Sequence, residues 1–439
     1  MKKMLALVLS VLLLMCTLPG LADGGEVRVL LSDAEAHAYL EGLAADFKAQ
    51  YGYDLKLTLV ANGSGADYDT ARETQIAAGQ VDIVVAQQFS TPQEEWNAAY
   101  AEMPAWQQYV TQGLFADLTN YDFTKRYNAS TLETVSWDGK VYALPIGVSA
   151  YNGMFYNCAI FNELGLSVPQ TWDELITCME TIKQAGYQVV TLGMSEREYA
   201  LKSYLIYSLL GSWFGDDVNN VIQGLVTGEI KHTDPEITEI YTALDTFCSY
   251  CVENVTGVTK SSAIAQFSTG TVALFVEATW SNSAIATAVD GDFEFGYFAI
   301  PGKEARSDGL APQFAVKTDN SWVMPTTAPN PEGAIAFLEW VSSDEVYQGL
   351  INTVEMSSTV HGISVQSDFL ASLEYGMQDV RSHAEQSIYA QAGIGEYGDW
   401  LGFKMLYAKT MGGPLTVEEL AQKAADDFAT WQTAMGLKE

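Results

Sequence analysis

The sequence predicts an α/β protein built as two lobes joined by short crossings. Residues 26–85 alternate strand, helix, strand, helix, strand at the spacing of parallel crossovers. A second alternating series opens near residue 150, and neither an internal repeat nor a low-complexity linker separates the two.

In order, Glu26-Val27-Arg28-Val29-Leu30-Leu31 is a short apolar strand, and Ser32-x-x-Glu35 reads as a capping box. It opens an amphipathic helix through Tyr39, Leu40, Leu43, Ala44 and Phe47, which Gly52 ends. Tyr53–Val60 alternates as a second strand. A Gly/Ser loop, Asn62-Gly63-Ser64-Gly65, leads to the helix Asp67–Ala78, stopped by Gly79. Val81–Val85 is then a buried-type strand. In the second series Met154–Asn157 is a strand, and Thr171-x-x-Glu174 caps the helix Trp172–Ala185, before the strand Val189–Leu192. Ser203–Gly211 is apolar and helical, Thr238–Glu253 is amphipathic, and Val272–Val276 and Phe293–Ala299 are strands. Three helices follow: Pro331–Trp340 with proline at its start, Asp344–Ile351, and Thr416–Met435 behind a Thr416-x-x-Glu419 box.

Composition limits the functions. In 439 residues, 22 Lys+Arg stand against 55 Asp+Glu, a net charge of −33. Nucleic acid is excluded, because phosphate neutralisation needs basic stripes that this chain lacks. Anionic membranes and strongly anionic ligands are disfavoured for the same reason. A hydrophobic content of 48% and an aromatic share of 12% supply ample core and exclude a disordered acidic tail. A sugar, a peptide or a cation fits this balance.

Lys2 and Lys3, an apolar run from Met4 to Leu18, and small residues at Gly20 and Ala22 describe a secretory signal over residues 1–22. The run is too short for a membrane anchor, which needs about 20 apolar residues. The protein is expected to be exported to an extracellular, cell-surface or periplasmic location, with lipid anchoring at Cys16 as the alternative to cleavage after Ala22. Four cysteines follow the signal (Cys158, Cys178, Cys248 and Cys251), too few for a disulfide scaffold. Cys248-Ser249-Tyr250-Cys251 has the spacing of redox and metal motifs. It sits in the helix-like stretch Glu236–Glu253 with no second pair and no nearby histidine, which reads as two small residues on one helix face.

The catalytic signals are absent. Four histidines (His37, His232, His361 and His383) show no metal spacing, and there is no G-x-S-x-G elbow, P-loop or EF-hand loop. No cofactor and no metal are expected. Gly63-Ser64-Gly65 is a turn or a ligand-facing loop. No acid is singled out for glycoside hydrolysis. The aromatics say more: Trp280, Trp322 and Trp400 stand among Glu, Asp, Asn, Ser and Gly. Flat rings pack on the C–H face of a pyranose while neighbouring polar side chains bond its hydroxyls. Half-buried structural tryptophans and a cation-binding box are the competing readings.

Several stretches then carry a family likeness: Gly113–Leu118, Trp137-Asp138-Gly139-Lys140-Val141-Tyr142-Ala143-Leu144-Pro145 running into Phe155-Tyr156-Asn157, Phe161–Leu166, and Pro169–Leu175. Phe267–Leu274 followed by Trp280, and Ala334–Trp340, complete the series. In this order, behind a signal peptide, the chain resembles the extracellular solute-binding proteins of ABC importers, in the carbohydrate-binding group that includes the maltose-binding protein. The resemblance implies a two-lobe periplasmic-binding-protein-like clamp of type II, each lobe a mixed sheet flanked by helices. It places residues 23–148 and 300–342 in the N-terminal lobe and 149–299 and 343–439 in the C-terminal lobe. Crossings are expected near Gly147–Tyr151, Phe298–Pro301 and Val341–Asp344.

The resemblance also implies a site. Trp280 is similar to the family's sugar-stacking tryptophan, Trp400 to a second one near the C-terminus, and Tyr199 to a third aromatic. Ser32, Asp33 and Glu35 after the first strand, and Gln87 and Gln88 after the third, match loops that supply polar contacts. Asp67, Tyr151 at the crossing and Trp322 complete the expected set. Ser149 stands where the maltose-type protein carries an acid, and Phe275-Val276-Glu277 replaces the commoner polar-Gly turn, so maltodextrin is not the expected solute. The implied function is capture of a sugar or oligosaccharide by hinge closure and delivery to membrane permease subunits of an ABC transporter, by a bacterial protein acting as a monomer without enzymatic activity. Import of a polyamine or other cationic solute is the alternative, and a glycan-active surface enzyme is the reading from a different class.

Overall fold

The computed structural model describes residues 24–60, 66–86, 89, 103–195, 205–215, 218–305, 312, 314, 316–318, 320–373, 394–398 and 402–437. Its strands are β1 (Glu26–Leu31), β2 (Asp54–Leu59), β3 (Ile83–Ala86), β4 (Ser136–Trp137), β5 (Lys140–Val141), β6 (Leu144–Pro145), β7 (Val148–Ala150), β8 (Gly153–Asn157), β9 (Gln188–Leu192), β10 (Val272–Val276), β11 (Phe295–Ala299), β12 (Val316–Thr318) and β13 (Ser321–Val323).

Two mixed sheets form the two lobes. The first has the order β2-β1-β3-β13-β6. Its β1 runs parallel to both β2 and β3, as the strand–helix alternation predicts, while β13 returns antiparallel between β3 and β6. The second has the order β11-β8-β10-β9, with β10 parallel to β9 and β8 antiparallel to its two neighbours. All five residues of β10 are buried, as expected of a strand covered on both faces.

Helices cover these sheets where the apolar periodicity places them. Gly52 closes the first helical stretch in a left-handed conformation at φ 82°. That stretch is two helices, Ala34–Gly42 and Ala44–Tyr51, broken at Leu43. The expected Ser32–Glu35 box is replaced by Asp33, whose Oδ1 accepts from the Ala36 amide at 2.7 Å, because the first helical residue is Ala34 and the extended Asp33 is the cap. Thr416 and Glu419 do form a reciprocal box on Val417–Ala434. The apolar stretch near 203–211 is the helix Tyr207–Phe214, with Ser203 outside the described residues. Pro235–Cys248 ends five residues earlier than the periodicity suggests. Cys251 therefore lies beyond the helix, in a parallel bridge to Val190, and the two cysteines do not share a helix face.

Between the sheets lies one ribbon, with a further stretch of chain beside it. β6 leads into β7, which pairs antiparallel with β12, with Lys317 opposite Ser149. On its other side Val148 bridges Ser357, and Gly147 lies against Met356. β7 covers the crossing expected near Gly147–Tyr151, and β11 ends at the one expected near Phe298–Pro301. The third expected place is Val341–Asp344. There the chain only turns from Pro331–Val341 into Asp344–Val354, and the latter helix packs on Ala34–Gly42 beside the first sheet. Tyr39 donates to the Val346 carbonyl at 3.2 Å and Tyr347 to that of Ile146 at 2.9 Å, so this helix packs with the N-terminal elements. The chain beyond it stays there, with the Thr359 carbonyl accepting from the Asn128 amide at 2.8 Å and the Gln366 amide donating to Asn352 Oδ1 at 2.8 Å, and it reaches the second sheet at Phe369, whose ring stacks on Phe155.

Candidate functional site

The site is built around this ribbon and the carboxyl ends of the first sheet's parallel strands. In open α/β sheets that edge forms the ligand crevice, since loops there diverge to neighbouring helices. Tyr68, in the helix Ala66–Ala77, ties the edge together: its hydroxyl donates to the Val85 carbonyl at 2.7 Å and accepts from the Val85 amide at 3.0 Å. Ser32 and Asp33, both partly buried, leave the end of β1, and exposed Glu35 and Asp67 stand in the first turns of the two following helices. Asp33 spends one carboxylate oxygen on its own helix.

The ribbon carries this edge to the second lobe. β12 continues through Asn320 into β13, whose Ser321 lies opposite Ala86 at the end of β3. Across the ribbon, the Ala150 amide donates to Thr279 Oγ1 at 3.0 Å, and that hydroxyl lies 3.2 Å from the Ala150 carbonyl. Tyr151, 2% exposed, follows directly. Half-buried Trp280 is the next residue after Thr279, and Lys317 Nζ lies 4.5 Å from the centre of a Trp280 ring. The structure thus brings Tyr151 and Trp280 together at the ribbon, with Ser32, Asp33, Glu35 and Asp67 on the strand-end loops of the first sheet.

Trp322 is not with them. It lies within β13, 1% exposed, with its ring edge-on to Phe337 at 5.4 Å in the core of the N-terminal lobe. The polar run Asp319-Asn320-Ser321 suggests a loop, but a three-residue strand between two neighbours buries its tryptophan regardless of the flanking residues. Gln87, Gln88, Tyr199 and Trp400 lie outside the described residues, as do the Gly63–Gly65 loop and the signal segment.

Sequence reasoning missed Lys317, for an isolated lysine in a short strand carries no signal. It also missed the position of Glu277, only 3% exposed, whose Oε1 accepts from the Ala278 amide at 2.9 Å and lies 3.9 Å from Lys260 Nζ. The acid's one signal was its place at the end of an apolar run. Burial first, and then the Glu277 charge, hold the Tyr297 hydroxyl well above the ordinary phenol range. Around the ribbon, Ser281, Asn282, Asn320, Ser321 and Ser357 each carry a buried side-chain oxygen with no hydrogen-bond partner among the described residues. Such oxygens are costly unless something polar meets them. No cluster of His, Cys, Asp and Glu among the described residues could hold a metal.

A family model described as bacterial extracellular solute-binding protein matches residues 32–348, most of the chain and all of this site except its C-terminal edge. The chain belongs to that family. As an extracellular solute-binding protein it binds its solute and does not transform it, and none of its described helices is long and apolar enough to cross a membrane. It is 25% identical over 303 residues to a multiple sugar-binding protein of Streptococcus mutans, covering 67% of each chain. It is 24% identical over 234 residues to an ABC transporter extracellular-binding protein of Pyrococcus horikoshii, covering 53% of this chain and 52% of the relative, so the chain spans about half the length of that one. Its fold matches RafE of Streptococcus pneumoniae in the apo form at a TM-score of 0.68 and 22% identity, over 94% of this chain and 98% of RafE. The raffinose complex of RafE matches at 0.66, with 23% identity over 93% of this chain and 99% of that one.

Proposed function

We propose that this solute-binding protein captures a neutral sugar or oligosaccharide in the cleft between its lobes and delivers it to the permease subunits of an ABC transporter. The observation that carries the reading is the set of buried hydroxyl and amide oxygens around the ribbon, without a partner among the described residues, beside half-buried Trp280. A polyhydroxylated ring supplies donors and acceptors to such oxygens and a C–H face to the indole. The sugar-binding relative and the raffinose complex of a structural neighbour support the same solute class.

In this reading Trp280 stacks on the sugar. Tyr151 and the loops bearing Ser32, Asp33, Glu35 and Asp67 surround it, joined by Gln87, Gln88, Tyr199 and Trp400, which lie outside the described residues. Residues 23–148 and the chain from β13 through Gln366 move as one lobe, and 151–299 with the chain from Phe369 onward as the other. Differential affinity for the closed arrangement drives the closure. The protein acts as an exported monomer, freed by cleavage after Ala22 or held at the surface through a lipid on Cys16.

Thermal unfolding of the chain from Asp23 onward, against monosaccharides, di- to hexasaccharides and polyamines, tests this. A ligand at 100 times its dissociation constant stabilises the folded state by about 2.7 kcal/mol. A shift with one glycan class is expected. A shift with polyamines alone would replace the sugar reading by a cationic one, and release of reducing ends would indicate an enzyme.

A further inference from the structure

The proposed function does not use the C-x-x-C pair, and the fold closes the chain between its two cysteines into a turn. Cys248 is the last residue of Pro235–Cys248, and the chain turns through Ser249 and Tyr250 so that the Cys251 amide donates to the Cys248 carbonyl at 3.1 Å. A turn closed by that bond holds its end Cα atoms within about 7 Å of each other. A disulfide needs about 4.4–6.8 Å between the same atoms. Both cysteines are free, Cys248 buried and Cys251 partly buried. Cys251 is bridged to Val190 of β9, and the Val252 amide donates to the Val190 carbonyl at 2.9 Å, so the pair sits where a helix end meets a sheet edge.

We infer that Cys248 and Cys251 form a disulfide when the exported protein meets a disulfide oxidant, stapling the end of the helix Pro235–Cys248 to the edge of the second sheet. Extracellular compartments favour that chemistry. The Cys251 thiolate, on the more accessible sulfur, attacks one sulfur of the oxidant and expels a thiolate, leaving a mixed disulfide. The Cys248 thiolate then attacks the Cys251 sulfur, forming the Cys248–Cys251 bond and expelling the second thiolate. The two protons released by the cysteines pass to the two departing thiolates, so one oxidant disulfide is reduced to two thiols.

The pair is not built for catalytic exchange. It stands at the carboxyl end of a helix, where the dipole disfavours a thiolate. The neighbouring Cys251 thiol, burial and the Asp245 charge all hold Cys248 well above the ordinary thiol range. A structural bond formed once is the chemistry this environment allows. Metal binding is not supported either, for no third ligand joins the pair among the described residues.

The test is differential alkylation of the full secreted chain after incubation with glutathione disulfide. Free thiols are blocked with N-ethylmaleimide in denaturant, the protein is reduced, and newly exposed thiols are labelled with iodoacetamide before peptide mass analysis. The expected result is iodoacetamide on Cys248 and Cys251, N-ethylmaleimide on Cys158 and Cys178, and an intact mass lower by two hydrogens. Cys251→Ser should leave Cys248 labelled by N-ethylmaleimide. N-ethylmaleimide on both cysteines of the oxidised wild-type protein, a lasting glutathione adduct on Cys251, or pairing of Cys248 with Cys178 would each overturn the inference.

Discussion

At the scale of single residues, two side chains have consequences that solution measurements can read. Trp280 is the ring the proposed site uses, and its loss removes both stacking and apolar burial. Trp280→Ala is expected to weaken binding of the identified sugar about tenfold or more, since stacking and burial are worth on the order of 1.5 kcal/mol together. Calorimetric titration checks this, and unchanged affinity would take Trp280 out of the site. His232 acts on stability. Its Nδ1 lies 3.1 Å from the Tyr241 hydroxyl, which itself donates to the Gly402 carbonyl at 2.7 Å. The single hydroxyl proton is thus committed to Gly402, so Nδ1 carries the imidazole hydrogen and Nε2 is left as a bare, enclosed lone pair without a partner among the described residues. Burial pushes the imidazole down to about 3, against an ordinary value of 6.5. Between those values the unfolded chain binds a proton that the folded chain refuses. The stability that His232 contributes is therefore complete above pH 6.5 and falls as pH drops toward 3, by about 1.4 kcal/mol per unit. Urea unfolding of wild type and His232→Phe across this range should show the wild type losing stability more steeply, and parallel curves would refute the assignment.

At the scale of elements, caps and short connections decide where the sequence could be read and where it could not. Asn330 shows how much one cap carries. Its side-chain oxygen accepts from the Gly333 amide at 3.0 Å, while its nitrogen reaches the Gly24 and Glu26 carbonyls at 3.2 and 3.1 Å, binding Pro331–Val341 to the start of β1. Asn330→Ala is expected to cost about 1–2 kcal/mol, more than an isolated cap, because a helix start and a strand start are both released. A lower urea midpoint at unchanged slope checks it. Elements of this kind were legible: β1, β2, β8, β9 and β10 have the run lengths and apolar content of strands, and proline, threonine and glycine mark the helix ends. β13 was not legible, because a strand of three residues is set by the neighbours it pairs with and leaves no period of its own. The same holds for β12, and with it Lys317. Trp280 and Tyr151 were expected in one site through the family resemblance, and the Ala150–Thr279 bonds place the residues just before them across the ribbon from each other. Trp322 could not be told from a surface tryptophan, since its burial depends on β13 pairing between β3 and β6, which come from far earlier in the chain.

At the scale of the whole molecule, the proposed hinge is the ribbon of β7 and β12, with Ser357 bridged to its side. Thr279 bonds Ala150 from the second lobe, and Asn282 Nδ2 donates to Glu355 Oε2 at 2.6 Å just before Met356. From the first lobe, Tyr347 donates to the Ile146 carbonyl at 2.9 Å just before Gly147, and Ser321 of β13 lies opposite Pro145. The proposed bending then falls on Gly147–Ala150 and Val316–Thr318, beside Met356–Ser357. Gly147 is the tightest point: a Cβ there would meet the Met356 Cβ at 2.5 Å and the Ser357 carbonyl oxygen at 3.2 Å. Neither atom is the free end of a flexible side chain, so Gly147→Val must displace the ribbon against the stretch at Met356–Ser357 without touching Trp280. The apparent affinity of a clamp is its intrinsic affinity reduced by the fraction of molecules able to close, and about 1.4 kcal/mol in that balance changes it tenfold. Gly147→Val is accordingly expected to weaken sugar binding about tenfold. Small-angle scattering should show the wild type contracting at saturating sugar and the variant contracting less at the same occupancy. Full contraction with weakened binding would place the effect in the site, and wild-type behaviour on both counts would move the hinge away from this ribbon.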